Sequence, residues 1–429
     1  MPGTYWVQKT SGAQRGLFRY GYAGAWDQDP RAVPGQFVFA QNDNDPATGY
    51  SAIAVPYGAI GQGVIDTIVK VRIAQGCWKT ATVQDTVNYD FHIVCDEGKK
   101  GFYYFRLRPD RDGTGKIIGL TTVASTEVLG NWVASNYNVA EAIDGAGKHR
   151  LIVTITKDRA VGSDTELDFY VGQSTVSAGV TPSSASDWVG LDGASLDPTF
   201  VGTMHAMHNE NAYAVDSYIA QHSTSRKVDL FFSQGLHGVG GDHLIVQLVP
   251  VSGAGSWQAV DLISGASAPP AGGYLKSYSN GGGLGSHAVA DAHDAVWWIW
   301  DDGQETRISR LNGDGTVNYS PLASLGVRMS WNSFRSLAIA SDDSIGVIDI
   351  PGDTLSPPIR GRIHRNGAWS AWIDMGHLDN TYNYVSNPLQ GLARVGGQEW
   401  FGLASCYAGS EAGRSLESSV VALSFAAVP

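Results

Sequence analysis

The strongest constraint on this chain is a repeat in its second half. Three segments leave a strand in the same way: Gly255-Ser-Trp-Gln-Ala-Val-Asp-Leu-Ile-Ser-Gly265, Gly315-Thr-Val-Asn-Tyr-Ser-Pro-Leu-Ala-Ser-Leu-Gly326 and Gly367-Ala-Trp-Ser-Ala-Trp-Ile-Asp-Met-Gly376. Each is followed by a loop and a strand pair, at 287–300, 335–349 and 390–404. Each pair reads as a small-residue strand, a polar hairpin and a bulkier strand. The closing glycines Gly265, Gly326 and Gly376 lie 61 and 50 residues apart. Such a period suits four-stranded propeller blades, in which a small residue sits near a crowded axis. Residues 223–429 then hold four blades, or five if the 183–222 region contributes strands.

Residues 1–222 have a different texture. Segments such as Gly35–Gln41, Gly63–Ile73, Tyr89–Cys95, Gly101–Arg108, Lys148–Lys157 and Thr165–Val171 largely alternate apolar with polar side chains. That period of two puts one face on a core and the other in water. Asn42-Asp-Asn-Asp-Pro46, Asp96-Glu-Gly98, Arg111-Asp-Gly113 and Asp144-Gly-Ala-Gly147 are turn signals between them. One short helix is expected at Ser135–Ile143. The rest fits a two-sheet antiparallel sandwich. Composition agrees with an all-β chain. Glycine supplies 53 of 429 residues, against a usual share of ~7%, and 43% apolar content leaves ample surface to bury.

Charge and cysteines narrow the function classes. A net charge of −12 argues against a duplex nucleic-acid partner and against anionic membranes. Three cysteines, Cys77, Cys95 and Cys406, cannot all pair within one chain. A Cys77–Cys95 bridge is conceivable, but an odd count does not read as a disulfide framework. The opening MPGTYWVQKTSG carries neither a basic n-region nor an apolar h-region, so no signal peptide is expected. The longest apolar stretches are too short to span a bilayer.

Two resemblances follow from these residues. The strand Lys148–Lys157, the run Leu167-Asp-Phe-Tyr-Val-Gly172 and the closing strand Ala212–Ala220 resemble the concanavalin-A-like jelly roll of laminin-G and related lectin domains. The string Gly367-x-Trp369-Ser370-x-Trp372-x-x-Met375-Gly376, with Val395-Gly-Gly-Gln-Glu399-Trp400, resembles the blade repeat of lectin propellers of the fucose-binding and tachylectin-like kind. One blade matches well; the others lack one or both tryptophans. Together these imply an antiparallel jelly-roll sandwich over 1–222 followed by a small four- or five-bladed β-propeller over 223–429. The lack of a signal, the Gly/Ser/Thr/Asn richness and the paired lectin-like modules further resemble bacteriophage tail-fibre or receptor-binding proteins. That resemblance implies a homo-oligomeric virion component, assembled in the host cytoplasm and displayed on the virion surface. Its partners would be a cell-surface glycan and other virion proteins, with no nucleic acid and no membrane insertion.

Eight of the 13 tryptophans lie between Trp257 and Trp400. Sugars stack their C–H faces on exposed aromatic rings, so Trp298, Trp300, Trp331, Trp369, Trp372 and Trp400 are the candidate platform. Arg335, Arg394 and Glu399 are the candidate polar neighbours. No cofactor is expected, except that Asn42, Asp43 and Asp45 could hold a calcium ion on a rim loop. His205 and His208 are read as junction-loop histidines, because strand residues three apart face opposite sides. Glycan hydrolysis would need two carboxyl groups in one cleft. Asp301, Asp302, Glu305, Asp342, Asp343 and Glu399 fall mostly in hairpin turns, where acids are common, and no nucleophile motif is present. Binding without catalysis is therefore expected. A glycan-degrading enzyme and a purely structural virion protein are the competing classes.

Overall fold

The computed structural model describes residues 5–9, 25–33, 36–42, 50–55, 69–74, 80–96, 101–134, 136–175, 182–206, 215–234, 241–261, 275–277, 288–301, 306–314, 317–324, 334–339, 343–350, 358–377, 382–385, 392–395, 398–408 and 415–424. Among these residues the chain is all-β. Its only helical turns there are two 3-10 segments, Gly130–Trp132 and Ala185–Asp187. No helix among the described residues is long and apolar enough to cross a membrane.

The strands form antiparallel sheets that succeed one another along the chain. Sheet 1 holds Ala25–Trp26, Phe37–Asn42, Tyr50–Val55 and Val69–Ala74. Sheet 2 holds Thr80–Gln84, Phe91–Asp96, Phe102–Arg111 and Ile117–Val128. Sheet 3 runs from Asn136–Ile143 through His149–Val161 to Asp164–Ser174, which takes both Trp188–Val189 and Thr199–Ala206 on its far edge. Sheet 4 comprises Val215–Gln221, Val228–Gln234, Gly241–Pro250 and Trp257–Asp261, with Leu275–Ser277 also on Gly241–Pro250. Sheet 5 comprises Ala288–Ala290, Ala295–Asp301, Thr306–Asn312 and Val317–Ser324. Sheet 6 comprises Phe334–Ile339, Ile345–Ile350, Pro358–Arg365, Ala368–Trp369 and Ile373–His377. In sheet 7, Gln398–Ala408 lies between Ser415–Ser424 and the short strands Tyr382–Val385 and Leu392–Val395, and Tyr5–Lys9 pairs with Ser415–Ser424.

Three expectations change. The segment read as a helix is the strand Asn136–Ile143, in which Tyr137 and Val139 are buried while Asn138 and Ala140 are half-buried. Tertiary burial of that alternating face overrides a weak local signal. The boundary drawn between 222 and 223 falls inside a hairpin, since Gln221 pairs with Val228. A jelly roll places strands distant in sequence side by side. The described pairings from 25 to 206 instead join strands close in sequence, because turns such as Asp112–Gly115 and Asp144–Gly147 fold each strand back on the last.

The chain divides into two compact units. One comprises Met1–Ile93, Phe105–Val123 and Asn332–Pro429; the other comprises Val94–Tyr104 and Ala124–Trp331. In the second unit the faces of sheets 3, 4 and 5 share an apolar core. Phe169 meets Phe232 at 4.4 Å between ring centroids, and Phe231 stacks on Trp298 at 5.7 Å. A second aromatic group joins Phe102, Tyr104, Trp132, Tyr137 and Trp188. Gly172 lies under Trp132 so closely that a Cβ there would sit 2.0 Å from the indole ring. In the first unit polar groups are buried too. Arg111 holds Asp27 through two nitrogens, at 2.5 and 2.9 Å, and Arg106 Nε donates to Asp90 at 2.6 Å.

One device recurs at the first hairpin of several sheets. Asp85, Asp144 and Asp291 each turn one carboxylate oxygen onto two backbone amides of the turn. Each turns the other oxygen onto a side chain of the next strand: His92 Nε2, Arg150 Nε or Trp297 Nε1, all at 2.8 Å. In sheet 4 the partners exchange places, and His222 Nε2 meets Asp229 at 2.8 Å. These acids lock hairpins.

Candidate functional site

The hairpin Pro358–Arg365 to Ala368–Trp369 carries the most accessible aromatic surface among the described tryptophans. Its turn is Asn366-Gly367, with φ of 52° and 78°. Positive φ at both central residues is the type I′ geometry that matches strand twist, and Asn-Gly is its preferred sequence. Alternation along the incoming strand puts Arg360, Arg362 and His364 on one face, while Ile363 is buried on the other. Trp369 lies directly opposite His364 in register, so it shares their face.

Trp372 would face away from Trp369 in a regular strand, being three residues on. The register prevents this. His364 pairs with Trp369, but Gly361 pairs with Ile373 and Arg360 with Asp374, so one extra residue is accommodated between them. Ser370 fixes the irregularity: its backbone N–H donates to the Ile363 carbonyl at 2.7 Å, and its hydroxyl accepts the Ile363 N–H at 3.0 Å. Both indoles therefore lie over the basic row. The Arg360 guanidinium is 4.7 Å from the Trp372 ring centroid; that of Arg362 is 5.7 Å from Trp369 and 5.6 Å from Trp372. Cation–π contacts of this length hold the guanidinium planes and the rings in place.

All five side chains, Arg360, Arg362, His364, Trp369 and Trp372, are partly exposed. Arg362 Nε donates to the Ser370 carbonyl at 2.7 Å. The His364 ring stands 5.1 Å from that of Trp369. Partial burial pushes the His364 pKa below its ordinary value of 6.5, against a weaker opposing bond involving the Gly367 backbone, so the ring is neutral at pH 7. The face thus offers two indoles, two fixed cations and a neutral imidazole.

The other candidate residues fare unequally. Trp298 is fully buried against Phe231 and belongs to the core, not to a platform. Trp297, 9% exposed, is covered by Arg310 and bonded to Asp291. Trp331, Asp43 and Asp45 lie outside the described residues, as do the side chains of Trp300, Arg335, Arg394, Glu399, Trp400 and Asn42. Their strands do place Arg394 opposite Glu399 and Ala393 opposite Trp400 in register. Among the described residues, no group of three or more His, Cys, Asp or Glu is arranged to hold a metal ion. The arginine row of sheet 6 was missed in the sequence, although Arg360-Gly-Arg362-Ile-His364 alternates visibly.

A cavity of about 280 Å³ in the second unit is lined by Arg150, Gln173, Asp192 and Ser256 among others. Its polar groups are already occupied. Arg150 bonds Asp144 and the carbonyls of Ser174 and Thr175; Gln173 donates to the Gly190 and Gly255 carbonyls and accepts from Trp257. That arrangement is structural.

No protein-family model matches the chain, and no curated protein matches it in sequence. Solved structures with a distant likeness include the S. cerevisiae core factor, at 8% identity and TM-score 0.48 over 99% of this chain. They also include the polysaccharide lyase Uly1, at 10% identity and TM-score 0.44 over 99% of this chain and 97% of that one. A mutant of AofleA from Arthrobotrys oligospora matches at 12% identity and TM-score 0.41, over 87% of this chain and 90% of that one. The chain spans 61% of the core factor chain. Likenesses of this depth carry no functional information.

Proposed function

We propose that the protein is a non-catalytic carbohydrate-recognising component, of the kind a virion uses to attach to a host surface, and that sheet 6 carries a binding face. The supporting observation is the extra residue fixed by Ser370, which turns Trp369 and Trp372 onto one partly exposed face above Arg360 and Arg362. Apolar sugar faces stack on indoles, and guanidinium N–H groups donate to ring hydroxyls. In the same reading the repeated meanders are propeller blades. In sheets 3 and 4, Ile143 and Gln221 exchange hydrogen bonds at 2.8 Å, so the first strands of successive sheets are neighbours, as blades require.

Trp372→Ala tests the binding face. Retention on a glycan array should fall about tenfold or more, since loss of one stacking ring costs roughly 1–3 kcal/mol by analogy with base stacking on aromatic side chains, while far-UV circular dichroism stays unchanged. Release of reducing ends or unsaturated products from capsule or lipopolysaccharide would overturn the non-catalytic reading. No retention of any glycan at high protein density would favour a purely structural virion protein.

A further inference from the structure

We propose that the sheet 6 face selects saccharides bearing a carboxylate, with Arg362 as the receptor for that group. The inference rests on the carbohydrate-binding reading above and adds the class of ligand. Arg362 is held on three sides. Trp369 and Trp372 flank its guanidinium at 5.7 and 5.6 Å, and its Nε is committed to the Ser370 carbonyl. Among the described residues, neither of its Nη nitrogens has a hydrogen-bond partner. Its cross-strand neighbour Val347 brings no acid, whereas Arg360 lies opposite both Asp349 and Asp374. Arg362 is therefore the cation of the row without an acid opposite.

A guanidinium fixed through Nε presents its two Nη groups as a pair of parallel N–H donors. That spacing matches the two oxygens of a carboxylate, and the fork is already ordered before binding. A pyranose stacked on an indole would bring a carboxylate at its ring edge to this fork. A neutral sugar would offer the fork uncharged hydroxyls in place of a matched pair of anionic oxygens, and would gain less there. The neutral His364 adds a donor or acceptor for a hydroxyl but no charge.

The test uses the full chain and paired probes. Oligogalacturonate, oligomannuronate, hyaluronan and sialylated oligosaccharides are each compared with their methyl esters by calorimetry or on an array. The ester keeps the ring and removes the charge. At least one acid should bind about tenfold or more tightly than its ester in low salt, and the preference should shrink as salt rises. Arg362→Lys, which keeps the charge but loses the fork, should weaken that acid several-fold more than it weakens the acid's methyl ester, so that the acid-over-ester preference shrinks. Equal binding of acid and ester overturns the inference on the wild-type chain alone, whatever the variant does. Binding of neutral glycans only also overturns it, while the carbohydrate-binding reading stands. Retention of nothing overturns both.

Discussion

At the residue scale, acidic side chains among the described residues recur as turn closers. Asp85, Asp144 and Asp291 spend one oxygen on backbone amides and the other on a side chain from the following strand. Turn chemistry was legible at Asp144, which opens Asp144-Gly-Ala-Gly147, and in the polar hairpin expected within 287–300, but not at Asp85, which Thr86 and Val87 follow. The lock itself was hidden, since His92, Arg150, Asp229 and Trp297 make the same contact with four different side chains and so leave no repeated string. The two His–Asp locks also set a pH dependence. Burial alone would lower the His222 pKa, but the hydrogen bond and charge of Asp229, with the Asp294 carbonyl, raise it above 6.5. A raised folded-state pKa contributes stability fully present below about pH 6.5 and lost as pH rises through the folded value. Asp85 is the opposite case: burial pushes it up, yet bonds from His92, Asn88 and Val87 bring it below 3.8. Its contribution is present above about pH 3.8 and lost as pH falls through the folded value. Urea midpoints measured from pH 5 to 9 should therefore decline on the alkaline side. His222→Gln should lower the plateau and flatten that decline; an unchanged slope would show that His222 is not its source.

At the element scale, hairpins were the legible unit. The strand pairs expected at 287–300, 335–349 and 390–404 are present as Ala288–Ala290 with Ala295–Asp301, Phe334–Ile339 with Ile345–Ile350, and Leu392–Val395 with Gln398–Ala408. Polar turns between apolar strands declare themselves, and Asp294 and Asp343 take the positive φ such turns need. Which tryptophans stay partly exposed did not declare itself. Trp298 lies within the strand Ala295–Asp301 and Trp372 just ahead of the strand Ile373–His377, yet one is core and the other is partly exposed because of a one-residue register shift that composition cannot reveal. Packing between elements was equally silent. Gly172 looks like a strand interruption in sequence, but Trp132 occupies the space where its side chain would be. Gly172→Ala should cost about 1–3 kcal/mol in chemical denaturation through overpacking. Adding Trp132→Leu should recover part of the loss that Gly172→Ala causes on its own, giving a coupling term in a double-mutant cycle. Simple additivity would mean that strand geometry, not the indole, requires glycine there.

At the scale of the whole molecule, the cysteine count is the point where sequence and structure part most clearly. Three cysteines did not read as a disulfide framework, although a single Cys77–Cys95 bridge was left open. Cys95 is nevertheless disulfide-bonded and fully buried on the strand Phe91–Asp96. Counting could not reveal this, because one bridge plus one free thiol gives the same odd number as none. Structural disulfides persist in oxidising surroundings and are rare where glutathione keeps thiols reduced. On the proposed reading, an attachment component would meet such surroundings after release. Alkylating the unfolded, non-reduced protein should label one cysteine, and labelling after reduction should modify all three, with tryptic mapping placing the reduction-dependent label at Cys95. Reduction should also lower stability by about 2–4 kcal/mol, the usual effect of removing a cross-link that restricts the unfolded chain. Three labels without reductant would mean that the chain keeps its thiols, and the argument for an extracellular setting would then lose its physical support.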